Sequence, residues 1–108
     1  MAASKKENFE KEEIELAEFA KALSHPARIA IIKTLAKKNE CVCGEIVEVL
    51  PLAQATVSQH LSELKKAGLI QGRVEGQNSC YCIDQKNFDK FIKAFSKLSE
   101  KIKSCECR

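Results

Sequence analysis

The stretch Gln54-Ala-Thr-Val-Ser-Gln-His-Leu-Ser-Glu-Leu-Lys-Lys-Ala-Gly68 decides the fold. Val57, Leu61 and Leu64 recur in it at i, i+4 and i+7, the spacing that places apolar side chains on one face of a helix. We therefore predict a helix over 55–67. The glycine that follows is typical of a helix C-cap.

The polar residues at the start of this helix fall outside its apolar stripe. A recognition helix presents that end to base edges in the major groove. Glutamine can pair with adenine through two hydrogen bonds, and serine or threonine can bind bases or phosphates. The alternative interpretation of each polar residue is that it lies on a solvated helix face and does not bind DNA. For the histidine, the alternative is a structural hydrogen bond. The predicted DNA contacts on this helix are Gln54, Thr56, Ser58, Gln59, His60 and Lys65.

Helical patterns precede this segment, and a hairpin and one more helix follow it. The helices before it are predicted at Phe9–Leu23, Pro26–Lys38 and Glu45–Leu50, the strands around Leu69–Val74 and Tyr81–Ile83, and the last helix from Gln85. A helix-turn-helix followed at once by a hairpin predicts a winged helix-turn-helix, mainly α with a small β-hairpin, in the order ααααββα. The wing adds Arg73, Gln77 and Asn78 as predicted DNA contacts.

Length and composition predict one small domain. The 108 residues suffice for a single domain, 1–108, in which 1–8 and 104–108 are expected to be flexible tails. The net charge of +3 is compatible with nucleic acid without being diagnostic of it. Because neither a membrane span nor a signal peptide is visible, we expect a cytoplasmic protein without a membrane partner.

Six cysteines form three Cys-x-Cys pairs. The pairs are Cys41/Cys43, Cys80/Cys82 and Cys105/Cys107. In a reducing cytosol such pairs are more often metal-binding or redox-active thiols than structural disulfides. One pair could simply fill space in the core, but three pairs with the same spacing argue against that interpretation for all of them.

Three segments resemble the ArsR/SmtB family of metalloregulatory repressors. They are His25-Pro-Ala-Arg-Ile-Ala-Ile-Ile, Cys41-Val-Cys and 55–70, and the resemblance spans about residues 14–100. It implies a repressor of a metal-resistance operon that binds double-stranded operator DNA as a homodimer through its first and last helices. An apolar stripe on the last helix fits a dimer interface, the intramolecular core, or some of each.

The resemblance also implies a sensing site. In the arsenic, antimony, cadmium and lead sensors of the family, Cys-Val-Cys opens the helix before the recognition helix, and Cys41 and Cys43 match that motif. The chain departs from the pattern at Gly44, where an aspartate is usual, and at Ile46, where arsenic sensors can place a third cysteine. With only two histidines in the chain, the family's zinc or nickel site on the last helix is expected to be absent.

Further thiolates are expected to complete the site. Cys105 and Cys107 are the first choice, within or across subunits, although they could also form a site of their own. Cys80 and Cys82 are less favoured as ligands. Residues i and i+2 of a strand share one face of the sheet, so these two side chains can simply pack there. Three thiolates suit As(III) or Sb(III), and four suit Cd(II), Pb(II) or Zn(II).

Other functions stay open at this point. A redox or persulfide sensor on the same fold would form a reversible disulfide instead of binding an ion. A metal-buffering protein would not need a recognition helix. A thiol oxidoreductase would need a Cys-x-x-Cys near a βαβ unit, which is missing, so we expect no enzyme.

Overall fold

The computed structural model describes residues 8–38, 41–43, 50–75 and 78–102. Its elements are α1 (Lys11–Ala22), α2 (Pro26–Lys38), β1 (Val42–Cys43), α3 (Gln54–Lys66), β2 (Ile70–Glu75), β3 (Asn78–Ile83) and α4 (Gln85–Ile102). The described helices and the hairpin agree with the predicted winged helix-turn-helix. The predicted helix Glu45–Leu50 lies, apart from Leu50, outside the described residues.

Helix α3 forms as its periodicity predicts. Val57 and Leu64 are fully buried and Leu61 is nearly so. The helix ends at Lys66, and two residues later Gly68 has a φ of 83°, in the left-handed region that glycine adopts without steric cost. Leu69 N then donates a 3.1 Å hydrogen bond to the carbonyl of Leu64. This turn directs the chain from α3 straight into β2.

The sheet has three antiparallel strands in the order β1-β3-β2. The hairpin of β2 and β3 is the predicted wing, and its register pairs Gly72 with Tyr81 and Arg73 with Cys80. The third strand, β1, was not expected. It pairs Val42 with Tyr81 and Cys43 with Cys80.

The core lies where α2, α3 and the start of the hairpin meet. Ile31 and Leu35 of α2 are buried together with Val57, Leu64 and Leu69. Because α3 and β2 both contribute to this cluster, the wing is held rigidly against the helix.

Helix α4 buries only part of its apolar stripe. Phe91 is buried, and its ring centroid lies 4.9 Å from that of Phe19 on α1. Four more apolar side chains of the stripe are exposed: Ile92, Phe95, Leu98 and Ile102. Within the described part of the chain, no helix is long and apolar enough to cross a membrane.

Candidate DNA interface and cysteine pair

The first turns of α3 present a polar, exposed surface. The exposed side chains on it are Gln54, Thr56, Ser58 and Gln59. The N-cap residue is Ala53, which makes no side-chain capping bond to the first-turn amides. Those amides and the helix dipole can therefore face an anion such as a DNA phosphate.

His60 does not belong to that surface, so the prediction that it faces outward is wrong. Its side chain is 7% exposed, and its Nδ1 accepts a 3.0 Å hydrogen bond from Nε of Arg28. The ring centroid of His25 lies 4.5 Å away. Burial, and after it the neighbouring His25 and Arg28, lowers the pKa of His60. The ring is neutral and structural, which was the alternative interpretation of this residue.

The end of α3 reaches the wing. Lys65 is exposed and lies over Gly72 of β2, where an added Cβ would lie 3.4 Å from the Lys65 Nζ and 3.1 Å from the ring of Tyr81. Because Gly72 has no side chain, the lysine and the aromatic ring can lie close to the strand. Arg73, one residue further along β2, is exposed as well.

Two predicted wing contacts cannot be located. Gln77 lies outside the described residues, and of Asn78 only the backbone, at the start of β3, is described. Lys65 at the end of α3 and Arg73 on β2 are therefore the predicted cationic contacts whose side chains the structure describes. Because successive residues of a strand point to opposite faces, Arg73 lies on the other face of the wing from Lys65.

The Cys-Val-Cys motif lies on a strand. Val42 and Cys43 form β1, whereas the resemblance implied that the motif opens a helix. Valine fits a pleated, half-buried surface, and the segment finds a partner in the edge of β3. The pairing with β3 accounts for the extended conformation of this segment.

Cys41 is joined to Cys82 by a disulfide, with the two Cα atoms 4.3 Å apart. The pair continues the register of β1 with β3, and this separation is typical of a non-hydrogen-bonded cross-strand pair. Cys80 is fully buried and also disulfide-bonded. The partner of Cys41 is thus Cys82 and not a C-terminal cysteine. Cys105 and Cys107 lie outside the described residues.

The described residues do not form a metal site. They hold no group of three or more histidine, cysteine, aspartate or glutamate side chains that could bind an ion. The chemistry that this part of the structure brings together is that of a cysteine pair.

Comparison with known proteins places the chain. The family described as "Bacterial regulatory protein, arsR family" matches residues 25–71. An HTH-type transcriptional regulator of Methanocaldococcus jannaschii is 40% identical over 83 residues, which are 76% of this chain and 92% of that protein. The chain belongs to the arsR family.

Further relatives agree with this membership. The HTH-type transcriptional repressor SmtB of Mycobacterium tuberculosis (strain H37Rv) is 42% identical over 59% of this chain and 47% of its own length. The solved structure of HlyU from Vibrio cholerae superposes with a TM-score of 0.68 and 27% identity, covering 83% of this chain and 97% of that one. A structure titled as reduced HlyU superposes with a TM-score of 0.66 at the same identity, over 82% and 92%.

As an arsR-family member, the chain is a DNA-binding transcriptional repressor and not an enzyme. The predicted family and winged helix-turn-helix fold are thereby confirmed. Sequence reasoning missed two features of the site. One is Arg28 as the partner of His60, although Arg28 stands within the His25-Pro-Ala-Arg segment of the resemblance. The other is Cys82 as the partner of Cys41, for which the equal Cys-x-Cys spacings were the available signal.

Proposed function

We propose that this protein is a homodimeric cytoplasmic repressor that binds operator DNA through α3 and the wing and releases it when a thiol-directed effector acts on Cys41. The exposed polar start of α3, opposite its buried apolar stripe, carries the proposal. Gln54, Thr56, Ser58 and Gln59 would contact base edges, since helices of this kind insert their N-terminal residues into the major groove.

The wing side of the surface would bind the phosphate backbone. Lys65 and Arg73 are exposed cations on adjoining elements, and the net charge of the chain is +3. Such contacts position a protein on DNA without reading sequence. Gln77 and Asn78 remain proposed contacts of the wing tip.

Dimerisation would use α1 and α4. The exposed side chains of Ile92, Phe95, Leu98 and Ile102 form an apolar row that a second copy would cover. Beside it, a cleft of about 450 Å³ between α1 and α4 is bordered by the ion pairs Lys90–Glu15 and Lys97–Glu12. A two-fold axis would apply this same surface to itself and set two recognition helices for two half-sites.

One candidate effector is a thiophilic ion. Cys41 would be one ligand, with others from Cys43, Cys105 and Cys107, or from Cys80 and Cys82. As(III) or Sb(III) would need three thiolates, and Cd(II), Pb(II) or Zn(II) would need four. The support for this candidate is the family resemblance of the Cys-Val-Cys motif.

The second candidate effector is thiol oxidation or persulfidation, and the bond between Cys41 and Cys82 favours it. Two cysteines at disulfide distance need no further ligand to report a change of redox state. That HlyU is titled as a reduced protein in one of its structures is in keeping with this candidate.

A titration of DNA binding separates the candidates. The full chain, kept reduced, would be titrated on a duplex carrying the promoter region of its own gene. As(III), Cd(II) and Zn(II), or an oxidant, would then be added. Release by a stoichiometric ion supports the first candidate, and release by the oxidant alone supports the second. Tight binding that neither disturbs would contradict a thiol-directed effector, and no binding at all would contradict the repressor.

A further inference from the structure

The bond between Cys41 and Cys82 closes a covalent loop around the DNA-reading part of the chain. The two residues are 41 positions apart, and the loop between them contains α3 and all of β2. Helices α1 and α4, which the proposed dimer uses, lie outside the loop. The elements that the bond encloses are therefore those proposed to bind DNA.

Strand β1 is held to the wing by very little backbone pairing. Within the described ranges it has two residues and pairs with β3 at two positions, whereas β2 and β3 pair at six. So short an edge strand has marginal stability on its own. The disulfide adds a covalent link between the start of β1 and β3, so its reduction would loosen β1 at that end.

The two cysteines of this bond are less buried than the other disulfide-bonded cysteine nearby. Cys80 is fully buried, while Cys41 and Cys82 are half-buried. Thiol–disulfide exchange requires a thiolate to reach a sulfur atom. A soluble thiol therefore reaches the bond of Cys41 with Cys82 before it reaches Cys80.

The bond also neighbours a predicted phosphate contact. Cys82 lies opposite Gln71 in the register of the hairpin, and Cys80 lies opposite Arg73. Residues that face each other across two strands share one side of the sheet. Gln71 and Arg73 are exposed, so a rearrangement at Cys82 occurs on the side of the wing that carries Arg73.

Building on the proposed function, we infer that Cys41 and Cys82 form a reversible thiol switch that fixes β1 to the wing and lowers operator affinity when oxidised. The reduced chain leaves β1 free to move relative to the wing and α3, which share one core, as they meet the DNA. The closed loop removes that freedom.

The oxidation is a thiol–disulfide exchange with a low-molecular-weight disulfide, RSSR. The Cys41 thiolate attacks one sulfur of RSSR, giving a mixed disulfide and releasing RS⁻. The Cys82 thiolate then attacks the Cys41 sulfur, forming the protein disulfide and releasing a second RS⁻. Both leaving thiolates take up the protons lost by the two cysteines, so two RSH form. Excess RSH reverses the reaction.

The test measures binding of the full-length chain to the promoter duplex in buffers of reduced and oxidised glutathione. We expect at least about a tenfold loss of affinity on oxidation, a free-energy difference of about 1.4 kcal/mol. Peptide mapping should find the bond between Cys41 and Cys82, and sedimentation should find an unchanged oligomeric state.

Two variants identify the bond responsible. The double variant Cys41→Ser/Cys82→Ser should bind with equal affinity in both buffers, and Cys41→Ala/Cys82→Ala serves if the serine version does not fold. The matched control, Cys105→Ser/Cys107→Ser, should respond like the unmodified chain.

Three results would overturn the inference while leaving the repressor intact. They are an unchanged or higher affinity after the mapped bond has formed, a redox response that persists in the Cys41/Cys82 variants, and a response lost only in the C-terminal control. Failure to bind the duplex in either buffer would instead defeat the proposed function on which the inference rests.

Discussion

Nε of Arg28 donates a 3.0 Å hydrogen bond to Nδ1 of His60, and this contact joins α2 to the inner side of α3. Nη1 of Arg28 also reaches the carbonyl of Ala22 at the end of α1, at 3.3 Å. A single guanidinium thus ties three helices together beneath the surface that is proposed to meet DNA. The buried imidazole must stay neutral to accept the bond, so the scaffold of the recognition helix depends on protonation.

The stability of the protein should fall in mild acid because of His60. Burial, His25 and Arg28 lower the pKa of His60 from its ordinary 6.5. Below that pH the unfolded chain binds a proton that the folded chain excludes, so stability present above about pH 6.5 is lost as the pH falls toward the lowered value. Thermal unfolding followed from about pH 7.5 to 5.5 should show a decreasing Tm.

Replacing His60 should remove part of the dependence of stability on pH. His60→Gln should cost about 1–3 kcal/mol at neutral pH, because the hydrogen bond to Arg28 is weakened or lost. Its Tm should then fall less steeply with acid than that of the unmodified chain. An equally steep fall in the variant would show that His60 does not carry the effect.

Removing a polar side chain from the start of α3 should weaken operator binding without changing stability. Ser58→Ala is expected to cost about 0.5–1.5 kcal/mol of binding to the specific duplex if Ser58 donates one hydrogen bond to a base edge. Its free energy of unfolding should stay within about 0.5 kcal/mol, since the side chain is exposed.

The matched control is Ser62→Ala, an equally exposed serine one turn further along α3. Fluorescence anisotropy with specific and scrambled duplexes measures both variants. A larger loss of specific binding for Ser62→Ala than for Ser58→Ala would contradict the assignment of the N-terminal end to base contact.

Lys65 should contribute one phosphate contact. Lys65→Gln is expected to weaken binding to the specific and the scrambled duplex by the same factor. It should also reduce the magnitude of the slope of log K against log salt by about 1. Lys97→Gln is the control, because Lys97 is an exposed lysine of α4, outside the proposed DNA surface, that pairs with Glu12. A slope unchanged in Lys65→Gln, or reduced by the same amount in Lys97→Gln, would remove Lys65 from the interface.

The exposed apolar row of α4 should hold the dimer. Phe95 is 55% exposed, so Phe95→Glu places a charge in the proposed interface while disturbing little inside the protomer. Sedimentation should show a monomer, with operator affinity reduced by at least tenfold. Ser96→Glu introduces the same charge beside it and tests whether charge alone on this helix is responsible. A Phe95→Glu protein that remains a dimer would contradict this interface.

Local sequence patterns were enough to predict the described helices and the wing. Val57, Leu61 and Leu64 specify the buried side of α3 by spacing alone, and Gly68 marks its end because the turn needs a positive φ. These features depend on residues close together in the chain.

Contacts between distant residues were harder to predict. His60 lies beside exposed residues in the sequence, and only the approach of Arg28, 32 positions away, explains its burial. Cys41 has several cysteines that could pair with it, and spacing cannot choose among them. The choice of Cys82 follows from β1 joining the edge of β3, a pairing between segments that are distant in the sequence.

The most direct test of the central claim is the affinity of the reduced, full-length protein for the promoter duplex of its own gene, compared with a scrambled duplex. A repressor that reads its operator through α3 should bind the promoter duplex at least about 10³-fold tighter than the scrambled one, with an affinity that falls steeply as salt is raised. Equal affinity for both duplexes, or no binding to either at low salt, would contradict that claim.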